Sequence, residues 1–357
     1  MAQARPRVWV SQPLFDDIVD QLAAHCDVDA ASAVAEHTPG AIAAALRDAD
    51  GALVTLNERI GTPELAAAPR LRAIANVGVG YNNLDIAALD AAGIIATNTP
   101  DVLTETTADL GFALLMAAAR RITESERWLR QGKWGQWSFS TMLGADIHGS
   151  TLGILGMGRI GQAIARRGRH GFGMKVLYHN RSRLDAATER ETGAQYVDFD
   201  ALLAQADHLV LVLPYSASSH HIIDGAALAR MKPTATLVNV ARGGLVDELA
   251  LADALAGGRL AAAGLDVYEG EPAVRPELLA LDNVVLTPHI GSASLATRRA
   301  MVQLAVDNLG AALGFGPNAG HPSTPVTAKK TTVAITTAGV MAGEGKAATG
   351  KRPGTSA

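Results

Sequence analysis

Cysteine is nearly missing from this chain: Cys26 stands alone in 357 residues, so no internal disulfide can form and nothing points to an oxidising compartment. A thiol with no partner reads as a small buried hydrophobe rather than a nucleophile. Aromatics are also scarce, at 4% against 48% hydrophobic residues overall, the balance of an alanine-rich, helix-heavy α/β protein. Excess positive charge is lacking too. A formal net charge of -4 offers no overall attraction to nucleic acid or to an anionic membrane, which leaves small-molecule chemistry as the expectation. No apolar run is long enough to span a bilayer, and the opening Met-Ala-Gln-Ala-Arg-Pro-Arg has no apolar core of the signal-peptide kind, so a cytoplasmic protein is expected.

What is present is alternation. The length allows two cores. Strand-like runs at Val8 to Val10, Ala52 to Leu56, Leu71 to Val77 and Gly93 to Ala96 are separated by helix-like stretches such as Phe15 to Ala24 and Ala41 to Ala49. That order predicts a parallel sheet covered by helices. A long helical pattern from Val102 to Arg121 then reads as a spacer between domains. It is followed by a glycine-broken stretch carrying Trp128, Trp134 and Trp137, too irregular for a helix and expected to be an arm that meets a partner surface or walls a pocket. Alternation resumes from Thr151 to about His289, with strands expected at Lys175 to Tyr178, His208 to Leu213, Thr236 to Val240, Ala262 to Leu265 and Val284 to Leu286. A last helical pattern, Ser292 to Leu313, would carry the chain back to the first domain and make a hinged cleft. Beyond it large apolar side chains almost vanish, so residues 323–357 are expected to be disordered, with Lys329, Lys330, Lys346, Lys351 and Arg352 as a solvated basic excess.

The stretch Thr151 to Gly161 has the form of a strand that enters a glycine turn and opens a helix. Gly156, Gly158 and Gly161 form a G-x-G-x-x-G pattern: one glycine for the tight turn, one for close approach of a pyrophosphate, one for helix-strand packing. Helix N-terminal amides would face the phosphates. The next strand decides which dinucleotide is expected. An acid about 20 residues past the glycines would bind the ribose diol of NAD, but Lys175 to Tyr178 leads into His179, Asn180, Arg181, Ser182 and Arg183, with no acid before Asp185. Arg181, with Ser182 or Arg183, suits a 2'-phosphate, so NADPH is preferred and NADH is the second choice.

Three later strand ends finish in polar residues, on the edge where ligands bind in such sheets. Asn239 to Gly244 delivers Arg242, whose planar fork suits a carboxylate or keto acid. Gly264 to Pro272 offers Asp266, Glu269 and Glu271, and Thr287 to Gly291 offers His289. A histidine beside a buried carboxylate would be raised in pKa and fixed in orientation, as a general acid at neutral pH must be.

Gly153 to Gly161, Asn239 to Glu248, Gly264 to Pro272 and Thr287 to Asn308 together resemble the D-isomer-specific 2-hydroxyacid dehydrogenases, in particular their glyoxylate/hydroxypyruvate reductase branch. The resemblance runs from about Ala52 to Asn308 and includes Asn76 to Asp85 and Val102 to Asp109. It implies two doubly wound parallel-sheet α/β domains with a cleft between them: a flavodoxin-like substrate domain (residues 1–99 and 290–322) and a Rossmann dinucleotide domain (100–289) that includes a dimerisation arm. It implies that Arg242 holds the substrate carboxylate and polarises the keto oxygen, that His289 protonates that oxygen, and that Glu271 pairs with His289. Val79 and Gly80 would bind the substrate carboxylate through their backbone, and Trp137 would reach the partner subunit's pocket in a homodimer. Cofactor contacts are implied for Gly156, Gly158, Arg159, Ile160, Gly161, Asn180, Arg181, Ser182, Leu213, Pro214, Ser219, Val240, Asp266 and Thr107. Small 2-keto acids such as glyoxylate and hydroxypyruvate are the implied substrates. Readings kept beside this one are a 3-phosphoglycerate or other hydroxyacid dehydrogenase, disfavoured by a tail without a regulatory domain's length or pattern, and a dinucleotide-sensing binding protein like the co-repressors that resemble this family. Formate and phosphite dehydrogenases fit less well, because the acid loop and the glycine segment suit keto acids.

Overall fold

The computed structural model describes residues 4–30 and 37–328. The basic residues from Lys329 onward lie outside the described residues. The first sheet is parallel and holds β1 (Arg7–Val10), β2 (Asp27–Asp29), β3 (Gly51–Val54), β4 (Ala73–Asn76) and β5 (Ile95–Thr97) in the order β2-β1-β3-β4-β5, the flavodoxin-like order. The second, also parallel, holds β6 (Thr151–Leu155), β7 (Lys175–His179), β8 (Ala194–Tyr196), β9 (His208–Leu211), β10 (Thr236–Asn239), β11 (Ala262–Leu265) and β12 (Val284–Leu286) in the order β12-β11-β10-β9-β6-β7-β8. Its order reverses between β6 and β9, and such a switch point opens a crevice at the carboxyl ends of the strands.

Why these segments pair is visible in their burial. β3, β4, β9, β10 and β11 are buried along their whole length, as parallel strands covered on both faces must be. Two strands were not anticipated. β2 and β8 are three-residue edge strands, and Asp27-Val28-Asp29 and Ala194-Gln195-Tyr196 have no apolar run to announce them.

The two long helices are divided between the sheets. Helix Thr104–Ala119 packs on the second sheet: an added Cβ on Gly264 of β11 would lie 3.1 Å from the Leu114 Cβ, and one on helix residue Gly111 3.4 Å from a Val240 methyl. It is thus a core element of the second domain rather than a bare spacer. Helix Leu295–Leu313 returns to the first sheet, where Val302, Val306, Leu309 and Leu313 join Val8, Val10 and Leu53 in one core. A short hydroxyl contact, Thr106 to Thr297 at 2.6 Å, ties the two helices together. No helix among the described residues is long and apolar enough to cross a membrane.

Two expectations need correction. Trp128 belongs to a helix, Ile122–Arg130, entered through a left-handed Arg121 (φ 54) that pairs with Glu124 at 2.6 Å. The irregular arm therefore begins only after Arg130. The segment Ser323–Ala328, assigned above to a disordered tail, is built into the fold. Val326 N–H donates to Ala96 O at 2.8 Å, Ala96 N–H donates to Thr327 Oγ1 at 3.0 Å, and Thr324 Oγ1 donates to Asn98 O at 2.6 Å. Threonine hydroxyls and main chain occupy the open edge of β5, a mode of attachment that hydrophobic periodicity does not register.

Candidate active site

The turn after β6 shows a separate physical reason for each glycine. Gly156 has φ 100, and a Cβ there would come within 2.6 Å of Leu213 N, so the turn is pressed against the segment that follows β9. Gly161 would place a Cβ 2.4 Å from Gly156 O, which only glycine avoids. At Gly158, the N-cap of helix Arg159–Arg166, a Cβ would meet nothing within 4 Å, leaving open space in front of the helix amides. An open, positively polarised helix start of this kind fits a pyrophosphate.

Around the turn the predicted residues divide. Asn180 Oδ1 accepts the Met157 N–H at 2.6 Å, so its side chain braces the glycine turn. Arg183 is bound to Glu189 through both Nε and Nη2 at 2.8 Å, and Asp185 caps helix Ala186–Thr192 by accepting from Ala187 N and Thr188 N. Arg181 and Ser182 are exposed, and Arg181 makes no hydrogen bond or ion pair among the described residues. Arg159 pairs with Asp101 at 2.6 Å, and Ile160 is half-buried beside it. Ser219 is turned inward: its hydroxyl accepts from Ser216 N at 2.8 Å and closes its own turn beside Pro214. The Val240 side chain packs into the core under Gly111, so only its main chain is left to meet a ligand.

The Arg242 loop and the acid loop are pressed together. A Cβ on Gly243 would lie 1.8 Å from the carbonyl carbon of Tyr268, so glycine is what lets the two strand ends meet. Arg242 reaches across to the first domain. Its Nε donates to Asn82 Oδ1 at 2.9 Å, its Nη1 donates to Ala241 O at 2.6 Å, and its Nη2 lies 1.8 Å from where a Cβ on Gly80 would stand. Burial pulls the guanidinium below its usual pKa, and the charge of Glu271 opposes that pull. The Gly80 segment is itself fixed by amides: Asn76 Nδ2 donates to Gly80 O at 3.0 Å and Asn98 Nδ2 to Val79 O at 2.8 Å.

His289 Nδ1 lies 2.8 Å from Glu271 Oε2, and Glu271 Oε1 accepts from Tyr268 N at 2.9 Å. Partial burial pushes the Glu271 pKa upward, but hydrogen bonding to His289, the Tyr268 amide and the nearby Arg242 charge outweigh it, and the carboxylate is held below its ordinary range. A carboxylate on Nδ1 sets the ring so that Nε2 is left for proton transfer. His289 has φ 51, a left-handed backbone uncommon outside glycine. Asp266 imposes it: its Oδ1 accepts from Thr287 Oγ1 and Ile290 N, its Oδ2 from Gly291 N at 2.8 Å, and its carbonyl from His289 N at 2.9 Å. Burial raises the Asp266 pKa against those bonds. Thr107 stands next to this turn, 3.4 Å from where a Cβ on Gly291 would be. Strain at a histidine that four hydrogen bonds over-determine is of the kind stored at functional sites. Trp137 stands away from these groups, 68% exposed on the arm and edge-on to Phe139 at 4.7 Å.

Set between two parallel sheets, these groups supply a buried guanidinium, a backbone turn beside it, an imidazole oriented by a carboxylate and an open helix start. Comparison with known proteins points the same way. The family model described as D-isomer specific 2-hydroxyacid dehydrogenase, NAD binding domain, matches residues 112–291. The chain belongs to the D-isomer-specific 2-hydroxyacid dehydrogenases. This dehydrogenase is 44% identical over 309 residues to a glyoxylate reductase of Thermococcus onnurineus, covering 85% of this chain and 92% of that one. It is 44% identical over 310 residues to a glyoxylate/hydroxypyruvate reductase B of Erwinia tasmaniensis, covering 87% and 96%. Among solved structures, an NADPH-dependent glyoxylate/hydroxypyruvate reductase of Sinorhizobium meliloti, in complex with NADP and malonate, is 37% identical and superposes with a TM-score of 0.79 over 90% of this chain and 97% of that one. The dehydrogenase takes a nicotinamide dinucleotide, which the glycine turn fits. Sequence reasoning picked Arg242, His289 and the partner of that histidine, Glu271, but not the groups that brace them. Asn82, Asn98 and Tyr268 act through a side-chain amide or a main-chain N–H, and their residue types carry no signal of that.

Proposed function

We propose that this dehydrogenase reduces glyoxylate and hydroxypyruvate to the corresponding 2-hydroxy acids with NADPH, as a cytoplasmic homodimer. The observation that carries the reading is the placement of the Arg242 guanidinium against Gly80, with the His289–Glu271 pair on the neighbouring loops. When bound, the nicotinamide supplies the hydride. Arg242 holds the substrate carboxylate and draws charge toward the keto oxygen, while the Val79 and Gly80 amides bind the same carboxylate from the other side. His289 gives its Nε2 proton to the oxygen that becomes the hydroxyl, and Glu271 holds the ring and stabilises the imidazolium before transfer. Closely spaced carboxylate donors and a small glycine turn suit short keto acids.

NADPH is favoured by Arg181, exposed and without a partner among the described residues, and by the use of Asp185, the first acid after β7, as a helix cap. A homodimer is supported by the exposed arm, where Trp134, Trp137, Phe139 and Leu143 are more than half exposed together. Cytoplasmic residence is supported by the single buried cysteine.

The test is a panel of keto acids assayed with NADH and NADPH, alongside the His289→Ala variant. The expectation is turnover of glyoxylate and hydroxypyruvate with NADPH, reduced about 10²–10⁴-fold in the variant with cofactor binding intact. Absence of turnover on every keto acid would sink the reading, and full turnover in the variant would remove His289 as the acid.

A further inference from the structure

Outside the catalytic groups, His220, His221 and Glu269 present one ligand atom each within 4.8 Å of one another. The two imidazoles are stacked, with centroids 3.8 Å apart and planes 24° from parallel. His221 Nε2 lies 2.9 Å from Glu269 Oε1. His220 Nδ1 lies 3.2 Å from the Tyr215 hydroxyl. An ordinary surface ion pair needs only His221 and Glu269. The third donor, within 4.8 Å of the other two and bonded to a tyrosine, is what an ion pair does not require.

We propose that His220, His221 and Glu269 bind one divalent ion of the zinc class on the rim of the catalytic cleft. Two neutral imidazoles and one carboxylate form a nitrogen-rich set of the kind that suits zinc, copper or nickel, whereas magnesium and calcium prefer oxygen ligands. Donors on a tetrahedral zinc stand ~2.0–2.2 Å from the ion. An ion lies in the plane of each imidazole that binds it, so closing around it turns one ring out of the His220–His221 stack. The ion would replace the proton that His221 Nε2 shares with Glu269, and that proton leaves to solvent or moves to Nδ1. His220 would bind through Nε2 while its Nδ1–H donates to Tyr215, the outer support that metal-bound histidines commonly have. Arg275, which donates to Glu269 Oε2 at 3.3 Å, orients the carboxylate from behind and leaves Oε1 for the ion. The remaining coordination position faces solvent and would hold water.

Position gives the site a consequence. The His221 N–H donates to Gly244 O at 2.9 Å on the Arg242 loop, and Glu269 stands two residues before Glu271. An ion at this point would tie the acid loop that carries Glu271 to the His220–His221 segment, which touches the Arg242 loop at Gly244 O, and occupancy is expected to lower turnover. The inference rests on the cluster alone and survives or fails separately from the choice of keto acid.

Tag-free full-length protein is titrated with Zn²⁺ against a chromophoric chelator, and its thermal midpoint is followed with and without the ion. Wild type is expected to take up one equivalent and to gain thermal stability. His220→Ala and Glu269→Gln are expected to weaken uptake at least tenfold and to lose that gain, while His289→Asn keeps both. No competition with the chelator, undiminished uptake in both variants, or uptake lost in His289→Asn would each overturn the site. Inhibition of turnover by Zn²⁺ in wild type that is relieved in His220→Ala would support the coupling between loops, and equal inhibition of the two would refute it.

Discussion

Gly80 and Arg242 come from different domains, yet the guanidinium occupies the space that any side chain on Gly80 would need, 1.8 Å from an ideal Cβ. The Arg242 guanidinium and the Gly80 backbone therefore meet with no side chain between them. A single methyl must push the arginine out of its fork toward Asn82. Gly80→Ala is expected to lower kcat/KM for keto acids by about 10²-fold, the cost of displacing a positioning group by an ångström, with NADPH affinity unchanged. Steady-state kinetics and fluorescence titration of the cofactor check this, and retained kcat/KM would mean that Arg242 does not need its present place.

The Glu271 carboxylate carries a pH signature. Its pKa is held below the ordinary range, so the folded state binds that proton more weakly than the unfolded chain does. The resulting stability is fully present above the unfolded value of about 4.3 and is lost as pH falls through the lower folded value. Glu271→Gln removes that dependence. The midpoint difference between wild type and Glu271→Gln is expected to be largest near neutrality, worth about 1.5–3 kcal/mol as a hydrogen bond to a charged group, and to close as pH falls through the lowered folded value. A difference that stays constant with pH would show that the carboxylate's charge is not what matters.

Cofactor choice separates two adjacent arginines. Arg183 is committed to Glu189 by two hydrogen bonds at 2.8 Å, whereas Arg181 has no partner among the described residues. Arg181→Ala is expected to raise KM for NADPH about tenfold, the loss of roughly 1.4 kcal/mol, and to leave KM for NADH nearly unchanged. Arg183→Ala should shift the NADPH value far less. Equal effects on the two cofactors in Arg181→Ala would argue against a contact with the 2'-phosphate.

The strands that place this site were legible because parallel strands buried on both faces are largely apolar runs, as in Gly51–Val54 and in Leu209 to Leu211 of β9. The glycine turn, Arg242, Glu271 and His289 were legible because each combines a chemically demanding residue with a strand end. What escaped was held by main chain or by small polar groups. Edge strand Asp27–Asp29 has two aspartates in three residues, and Ser323–Ala328 attaches by threonine hydroxyls and amides. Helix Ile122–Arg130 was hidden because none of its residues is buried, so its pattern reports no core. Asp266 was read as a cofactor ligand, and its carboxylate in the structure accepts from Thr287, Ile290 and Gly291, a role in shaping the His289 turn that no residue pattern announces.

The arm offers the last test. Trp137 is 68% exposed and Phe139 86% exposed, and they contact each other edge-on rather than a core. Water around two large rings is costly, on the order of 25 cal/mol per Å² of apolar surface, and a second copy of the chain would remove it. The family resemblance implies that the tryptophan reaches the partner's substrate pocket, and on that reading its loss should act on both assembly and catalysis. Trp137→Ala with Phe139→Ala is expected to weaken the dimer at least tenfold in sedimentation velocity. Trp137→Ala alone should raise KM for hydroxypyruvate more than for the smaller glyoxylate, since the larger acid reaches further toward the pocket wall. A wild-type protein that sediments as a monomer at micromolar concentration would overturn the dimer and remove the tryptophan from the pocket with it.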